Sequence, residues 1–406
     1  MSTKNILFAI FSLFTFSISA QGLLLSTKEE LSGVEQYIEE DRGYTSYLPN
    51  YYSLEKYAPP IMSQFQTSSC VGWAMCYSAY SIQHNIHRKI TSVFEKKMFS
   101  FDPYYMYSIM KNKYKNEECS KGLFMTEAMD FLMEMGAKRI WMTPFIACDN
   151  KWSSEWIEEI LFQSSSFAID DYNKVDPEDL SLIKKLIYDG HPVIIGANIN
   201  DSFDDVKSSK KGTINSNGVW NPNYADIESI SGHAMTIVAY NDYKFGGAFK
   251  VMNSWGEDWG NKGYVWIKYE DFAIIVDEAF IIFKDFDSIS ETPYFTYFKF
   301  NDGDIYEGNV DRENDFQGYG YYQWANGNTY MGEWSNHNRD GEGIYFDYGN
   351  RVAYYCKYED DVRIHFESLG FADDDVKSDI ELYFEKFNFG FKFKDADPST
   401  VIPDIE

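Results

Sequence analysis

Three residues of types that support nucleophilic chemistry lie far apart in this chain, at Cys70, His233 and Asn253. Cys70 opens a stretch in which apolar residues recur at helical spacing, and the sequence predicts a helix that begins at or just before it. Unpaired N–H groups and the macrodipole at a helix N-terminus favour the thiolate form of a cysteine. A thiolate at this position would be a nucleophile for a carbonyl carbon.

The segment around the histidine and the asparagine predicts a β-hairpin that brings the two together. Two β-type runs, 234–240 and 248–252, flank the turn-rich stretch NDYKFGG. With the turn centred on Tyr243, the partner rule for antiparallel strands places His233 opposite Asn253. Their Cβ atoms would then be about 5 Å apart, so that the amide oxygen accepts a hydrogen bond from one imidazole nitrogen. Asn253 is therefore predicted to orient the histidine as a base.

A polar side chain on the loop that leads into the predicted helix completes a catalytic arrangement. Gln64 lies on this loop, a short distance before Cys70. Its side-chain N–H and the backbone N–H of Cys70 would together donate to a developing oxyanion.

These residues, in this order, resemble those of the papain-type cysteine peptidases. The likeness is carried by Gln64, Cys70, Gly232-His233-Ala234 and Asn253-Ser254-Trp255-Gly256, and it covers about residues 48–285. Val71 stands where the family usually has an aromatic residue, and Thr67 stands where it usually has a cysteine. The stretch SCVGWA is instead similar to a bacterial branch of the family.

The resemblance implies an α+β, two-lobed fold and a peptidase mechanism. A helical lobe would cover about residues 48–165 and a β-barrel-like lobe about residues 166–288. Cys70 would attack the scissile carbonyl, with His233 moving the proton. Gln64 matches the family's oxyanion-hole residue, and Asn253 matches the residue that orients the histidine. The resemblance also implies that Gly122, Gly232 and Trp255 lie at the substrate. Trp255 would also shield the histidine–asparagine pair from water.

The chain has five cysteines, an odd number that suits one free reactive thiol with others available for pairing. Cys119 and Cys148 match half-cystine positions of the family, and the resemblance implies a disulfide between them. Cys76 and Cys356 are possible competitors for either partner.

A repeated pattern follows the peptidase-like region, over residues 294–362. Tyr306–Gly308 recurs at Tyr330–Gly332, and Gly318–Gly320 recurs at Gly341–Gly343. The pattern resembles MORN repeats, stacked β-hairpins with glycine at the turns, with two clear copies and a degraded third. It implies a small all-β sheet. An excess of acidic residues disfavours phospholipid binding there, and a structural role or a protein partner is favoured.

The two ends of the chain differ in sequence from the peptidase-like region and the repeats. Residues 1–20 have a lysine, an apolar stretch and a small-residue cleavage site, typical of a secretory signal peptide, and predict export to the periplasm or the medium. Residues 21–47 are too short for the family's inhibitory propeptide domain, and we expect an enzyme without one. Residues 363–406 form an acidic tail.

Composition and hydropathy bear on which ligands the protein can bind and on whether it crosses a membrane. A net charge of −27 disfavours binding to nucleic acid or anionic lipid. No apolar run after the signal reaches about 18 residues, so no transmembrane segment is predicted. The acidic clusters lack the spacing of a calcium loop, and neither a metal nor another cofactor is expected.

The leading hypothesis from the sequence is an exported endopeptidase acting on peptide or protein substrates. Two alternatives stay open: a degenerate peptidase fold that binds a partner through its repeats, and an amidase or acyltransferase that uses the same thiol.

Overall fold

A computed structural model of the protein describes residues 22–38, 47–65, 67–111, 121–140, 167–204, 217–222, 231–286, 295–350 and 352–371. The predicted signal peptide, Cys119, Cys148 and most of the acidic tail lie outside the described residues. The described chain forms a mixed helical and β unit up to Phe286 and a purely β unit from Phe295.

The helices lie in the first of these units. Two short 3₁₀ turns cover Glu55–Tyr57 and Lys244–Gly246. The helices are α1 (Lys28–Leu31), α2 (Cys70–Arg88), α3 (Val93–Met98), α4 (Pro103–Ile109), α5 (Met125–Met135), α6 (Leu180–Tyr188), α7 (Asp201–Asp204) and α8 (Tyr269–Ile275). Within the described part of the chain, no helix is long and apolar enough to cross a membrane.

Helix α2 begins at Cys70, as predicted, and is buried over most of its length. It starts as an α-helical turn, continues with wider π-type turns over Trp73–Tyr80 and returns to α geometry over Ser81–Arg88. Gly72 is required for its packing, because a Cβ there would lie 2.1 Å from the carbonyl oxygen of Pro103. The nucleophile candidate therefore stands at the end of a rigid, closely packed element.

A nine-stranded sheet supports the other half of the first unit. Its longest strand, β6, runs from Ser231 to Asn241 and pairs with four neighbours, β1, β2, β5 and β7. The strands are β1 (Leu23–Leu24), β2 (Tyr51–Ser53), β3 (Leu123–Phe124), β4 (Asp171–Val175), β5 (Val193–Ile199), β6 (Ser231–Asn241), β7 (Ala248–Met252), β8 (Tyr264–Lys268) and β9 (Val276–Phe283).

The second unit is a seven-stranded antiparallel sheet in which every strand pairs with the next along the chain. Its last strand extends past residue 362, the predicted end of the repeats. The strands are β10 (Phe295–Lys299), β11 (Ile305–Val310), β12 (Phe316–Gln323), β13 (Thr329–Ser335), β14 (Asn338–Asp347), β15 (Val352–Glu359) and β16 (Val362–Phe371).

The repeated tyrosines and glycines of this sheet pack against each other. Gly308 pairs with Gly320 across two strands, and the ring of Tyr306 lies on both, since a Cβ at Gly320 would be 2.5 Å from the Tyr306 hydroxyl. Tyr330 occupies the same position over Gly343 in the next copy. The sequence repeat therefore has a physical cause, although membership of the MORN family stays a prediction.

A buried ion pair joins the two units. The guanidinium of Arg139 is fully buried and donates from Nε to Glu307 Oε1 at 2.9 Å. Its Nη2 lies 2.8 Å from Nε2 of His84, and it stacks over Phe101 at 4.2 Å. Burial, with the positive charge of Arg139, lowers the pKa of His84 well below its usual value, so this imidazole is a neutral acceptor.

Replacing Glu307 with alanine should destabilise the protein, because it leaves the buried guanidinium of Arg139 without a counter-charge. The expected loss in the free energy of unfolding is about 3–5 kcal/mol, measured by denaturant titration. Glu313→Ala, at an exposed carboxylate in the turn between β11 and β12, is the matched control and should change little. Equal stability of both variants would contradict this role for the ion pair.

Candidate active site

The thiol of Cys70 is fully buried at the start of α2. Burial raises its pKa to about 11, against backbone hydrogen bonds from Ala234 and Gly22 that lower it. The contact with Ala234 places the thiol beside the residue that follows His233. The helix N-terminus alone therefore does not produce a thiolate here, because the closed surroundings exclude the water that would solvate the charge.

His233 and Asn253 form the predicted hydrogen bond, with 2.7 Å between imidazole Nε2 and the amide oxygen Oδ1. The same oxygen accepts from the backbone N–H of Ser254 at 2.8 Å, which identifies it as the oxygen of the amide. Nε2 must then carry the proton, which leaves Nδ1 as the basic nitrogen. Nδ1 is buried and has no hydrogen-bond partner, and burial lowers the pKa of the histidine to about 4.

The predicted strand register that led to this pair is wrong. Thr236 lies opposite Met252, and after a bulge the register shifts so that Asn241 lies opposite Ala248. His233 itself pairs with Ala197 of β5. The two side chains still meet because Asn253 lies beyond the end of β7, where its backbone N–H bonds to Gly263 instead of β6.

Gln64 is buried on the loop before α2 and is held at both ends of its side chain. Nε2 donates to the carbonyl of Thr67 at 2.7 Å, and Oε1 accepts from the Ser254 hydroxyl at 2.5 Å. Its backbone N–H also bonds to the Ser254 carbonyl. Ser254 thus connects the proposed oxyanion residue to the asparagine loop, a role that the sequence analysis did not assign to it.

Trp255 lies where it can shield the histidine. Its ring centroid is 4.9 Å from that of His233. Phe203 and Trp259 pack against its other sides, at 5.3 Å and 5.4 Å between centroids. This aromatic wall restricts access of water to the imidazole from that direction.

An N-terminal segment occupies the cleft between the two lobes. Residues 22–26, here called the strap, begin with Gly22 beside the thiol and continue as β1. Leu23 pairs with Leu123 in a parallel arrangement on one side and with Gly232 in an antiparallel arrangement on the other. The expectation that the enzyme lacks the family's larger propeptide domain stays a prediction.

Gly122 and Gly232, the two glycines predicted to lie at the substrate, form the walls of this passage. A Cβ at Gly122 would lie 2.1 Å from the carbonyl oxygen of Gly22, and one at Gly232 would lie 2.6 Å from that of Leu23. The buried Lys111 fixes the first wall by donating from Nζ to the Gly122 carbonyl at 2.6 Å. The cleft is therefore shaped for the backbone of an extended peptide.

The two other cysteines that the structure describes take no part in this site. Cys76 and Cys356, the competitors considered for a disulfide, are buried free thiols. The predicted bridge between Cys119 and Cys148 concerns residues outside the described ranges and stays a prediction. Among the described residues, no group of histidine, cysteine and carboxylate side chains is arranged to hold a metal ion.

Known proteins resemble this chain over the same region. The model of the papain family cysteine proteases matches residues 54–281. Cathepsin K of Gallus gallus is 26% identical over 212 residues, which cover 52% of this chain and 55% of that protein. An uncharacterized peptidase C1-like protein of Acanthamoeba polyphaga mimivirus is 30% identical over 136 residues, 31% of this chain and 41% of the relative. The chain thus spans about half the length of the curated relatives it matches.

Solved structures show the same fold at low identity. Xylellain, a cysteine protease from Xylella fastidiosa, superposes with a TM-score of 0.50 and 19% identity over 66% of this chain and 97% of that chain. The digestive procathepsin L2 proteinase of Tenebrio molitor larval midgut gives a TM-score of 0.50 and 17% identity over 66% and 79%. Because the family model spans more than half of its residues, the chain belongs to the papain family of cysteine proteases.

Proposed function

We propose that the protein is a cysteine endopeptidase that hydrolyses peptide bonds with Cys70 as nucleophile, His233 as base and Asn253 as the residue that orients it. The hydrogen bond between His233 Nε2 and Asn253 Oδ1 carries this proposal. It leaves Nδ1 unprotonated. The contact of the Cys70 thiol with the backbone of Ala234, the residue after His233, supports the same proposal.

The reaction begins when a substrate replaces the strap. Nδ1 of His233 takes the thiol proton, and the sulfur attacks the scissile carbonyl carbon. The backbone N–H of Cys70 and the side chain of Gln64 stabilise the oxyanion. The imidazolium returns its proton to the departing amine as the C–N bond breaks. Water then hydrolyses the thioester, with His233 again as base, and the free thiol is restored.

The strap gives this enzyme a resting state. The strap excludes peptides because it occupies the cleft. Its presence also buries the thiol, and a thiol with a pKa of about 11 is protonated at neutral pH. Displacement of the strap would admit water and lower that pKa. We infer from residues 1–20 that the protein is exported, and from the acidic repeats that they serve a structural or protein-docking role.

Replacing Cys70 with alanine should abolish peptide hydrolysis and leave the fold intact. Cys76→Ala is the matched control, since this second buried thiol on the same helix takes no part in the chemistry. Turnover of a fluorogenic peptide and labelling by an epoxide thiol probe report the outcome. Hydrolysis by Cys70→Ala would refute the mechanism. Labelling of Cys70 without peptide hydrolysis would favour an amidase or acyltransferase, and neither labelling nor hydrolysis after release of the strap would favour a binding protein.

Asn253→Ala should lower kcat/KM far less than His233→Ala. The base survives without its hydrogen-bond acceptor and loses only its fixed tautomer and orientation, whereas its removal leaves no proton acceptor. Both variants should be measured with one peptide after their folding is checked by circular dichroism. Equal losses in two folded variants would argue against an orienting role for Asn253.

Gly22→Val should release the strap in the full-length chain. A Cβ at Gly22 would lie 2.0 Å from the backbone oxygen of Ser68, so a side chain cannot be accommodated there. We expect faster labelling of Cys70 at neutral pH and a lower pH midpoint for labelling, because the solvated thiol ionises more readily. Gly33→Val is the control, since a Cβ there meets nothing closer than 3.9 Å. An unchanged labelling profile in Gly22→Val would show that the strap does not restrain the thiol.

A further inference from the structure

The two faces of the seven-stranded sheet differ in what they contact. Glu307 and Tyr321 lie opposite each other on β11 and β12 and face the peptidase unit, where Tyr321 packs on Phe99 with 4.5 Å between ring centroids. Successive residues of a strand point to opposite faces, so the next pair, Tyr306 and Tyr322, lies on the other side. This second face, here called the outward face, points away from the peptidase unit.

The outward face contains a cavity of about 580 Å³ that is lined mainly by aromatic rings. Phe316 and Trp334 are buried beneath it, whereas Phe300, Tyr322 and Trp324 keep part of their rings exposed. The centroid of Tyr322 lies 5.0 Å from that of Trp324 and 6.0 Å from that of Phe300. Binding sites for small molecules have volumes of roughly 300–1,000 Å³ and similar aromatic linings. The cavity therefore has the size and the walls of a ligand site.

An acid and a base that are paired with each other supply the polar part of the lining. Arg339 donates from Nε to Asp361 Oδ1 at 2.5 Å and from Nη1 to the hydroxyl of Tyr358 at 3.1 Å. Among the residues that the structure describes, Nη2 of Arg339 and Oδ2 of Asp361 have no hydrogen-bond partner. The cavity thus offers N–H donors beside a carboxylate acceptor, and the two charges balance.

This arrangement disfavours charged ligands of either sign. An anion would meet Asp361 and the acidic excess of the whole sheet. A cation would compete with the guanidinium of Arg339, which already lies over the aromatic rings, at 4.1 Å from the centroid of Tyr358 and 5.8 Å from that of Trp324. The matching ligand is therefore neutral, with an apolar surface for the rings and adjacent groups that form hydrogen bonds.

A sugar ring matches this surface better than a peptide does. An extended peptide binds where a sheet edge has free backbone groups. The cavity lies on the face of the sheet instead, and β12 and β13 are each paired on both sides, so only side chains are available to a ligand. The C–H groups of a sugar can pack on an aromatic ring, while its neighbouring hydroxyl groups both donate and accept.

Partly exposed aromatic rings continue from the cavity across the outward face. The centroid of Tyr345 on β14 lies 5.9 Å from that of Trp324 and 6.2 Å from that of Phe366 on β16, and Tyr354 stacks on Phe366 at 4.3 Å. With about 4.8 Å between strands, β12 and β16 are roughly 19 Å apart. The ring planes of Trp324 and Tyr345 differ by 56°. A row of this length and tilt suits a single flexible chain and not a flat crystalline surface.

We propose that the outward face binds a neutral oligosaccharide chain. One sugar packs on Trp324 with its hydroxyl groups bonded to Arg339 and Asp361, and further sugars follow the row of rings toward Phe366. The site lies on the face opposite the peptidase unit, so a bound chain leaves the active-site cleft accessible. The sheet would thereby hold the protein on material that carries such chains, whether or not Cys70 is catalytic.

The test is binding of neutral oligosaccharides to the full-length chain, measured by isothermal titration calorimetry. The probes are cellohexaose, laminarihexaose, mannohexaose, xylohexaose, chitohexaose and maltohexaose. We expect at least one to bind and to change the tryptophan fluorescence. Trp324→Ala should weaken that binding roughly tenfold or more, whereas Trp324→Phe keeps a ring and should retain most of the affinity. Tyr348→Ala is the matched control, at an exposed ring of the same sheet outside the cavity, and should bind as the parent does.

The length of the sugar chain tests the row of rings separately from the cavity. Phe366→Ala should weaken binding of the hexasaccharide and leave binding of the corresponding disaccharide unchanged, because the disaccharide is too short to reach β16. Equal loss for both sugars would confine the site to the cavity and contradict the extended part of the proposal.

Other outcomes would overturn the proposal as a whole. These are failure of all six hexasaccharides to bind, or equal binding by the parent and by a Trp324→Ala variant whose circular dichroism is unchanged. Tighter binding of unmodified peptides, lost in Trp324→Ala, would replace the sugar by a protein partner. Hydrolysis of a fluorogenic peptide, followed in parallel, should be the same in Trp324→Ala and the parent, so that failure of the peptidase mechanism is seen independently.

Discussion

A buried hydrogen bond between helix and sheet is among the contacts that join the two halves of the active site. The hydroxyl of Thr236, on the strand that carries His233, donates to the carbonyl of Ala74 at 2.8 Å. Ala74 lies in the π-type part of the helix that begins at Cys70, within its closely packed N-terminal half. The nucleophile and the base come from different lobes, so their alignment depends on this contact across the boundary. In a dry interior such a bond is stronger than in water, and loss of either partner would leave a polar group unsatisfied.

The strap affects the protonation of the active-site side chains as well as the entry of substrate. Burial raises the pKa of Cys70 and lowers that of His233. Both groups are therefore driven toward their neutral forms in the closed state. The proposed mechanism passes through the thiolate and the imidazolium, the two charged forms that burial disfavours. Entry of substrate and water would stabilise both, so in this proposal the closed state opposes ionisation as well as access.

The helix start at Cys70 and the contact between His233 and Asn253 were predicted from local patterns, and both are present in the structure. The register from which that contact was predicted is wrong, because a bulge after Ile237 and a 3₁₀ turn at Lys244–Gly246 shift the pairing. The catalytic roles of these residues stay predictions. The strap could not be predicted from periodicity either. Its strand, β1, has two residues, which are too few to show a period.

The repeats show that local sequence patterns predict a sheet but not the place where it attaches. The spacing of tyrosine and glycine indicated a stacked sheet, and the packing of Tyr306 on Gly308 and Gly320 explains it. Where that sheet attaches depends on single residues that no repeat marks, Glu307 above all. Glu307 binds Arg139 and, at 3.5 Å, Arg88 at the last turn of the nucleophile helix. The helix that begins at Cys70 thus carries, at its other end, an arginine that is paired with the sheet. The contact of the sheet with the peptidase unit therefore includes the same helix that presents the proposed nucleophile.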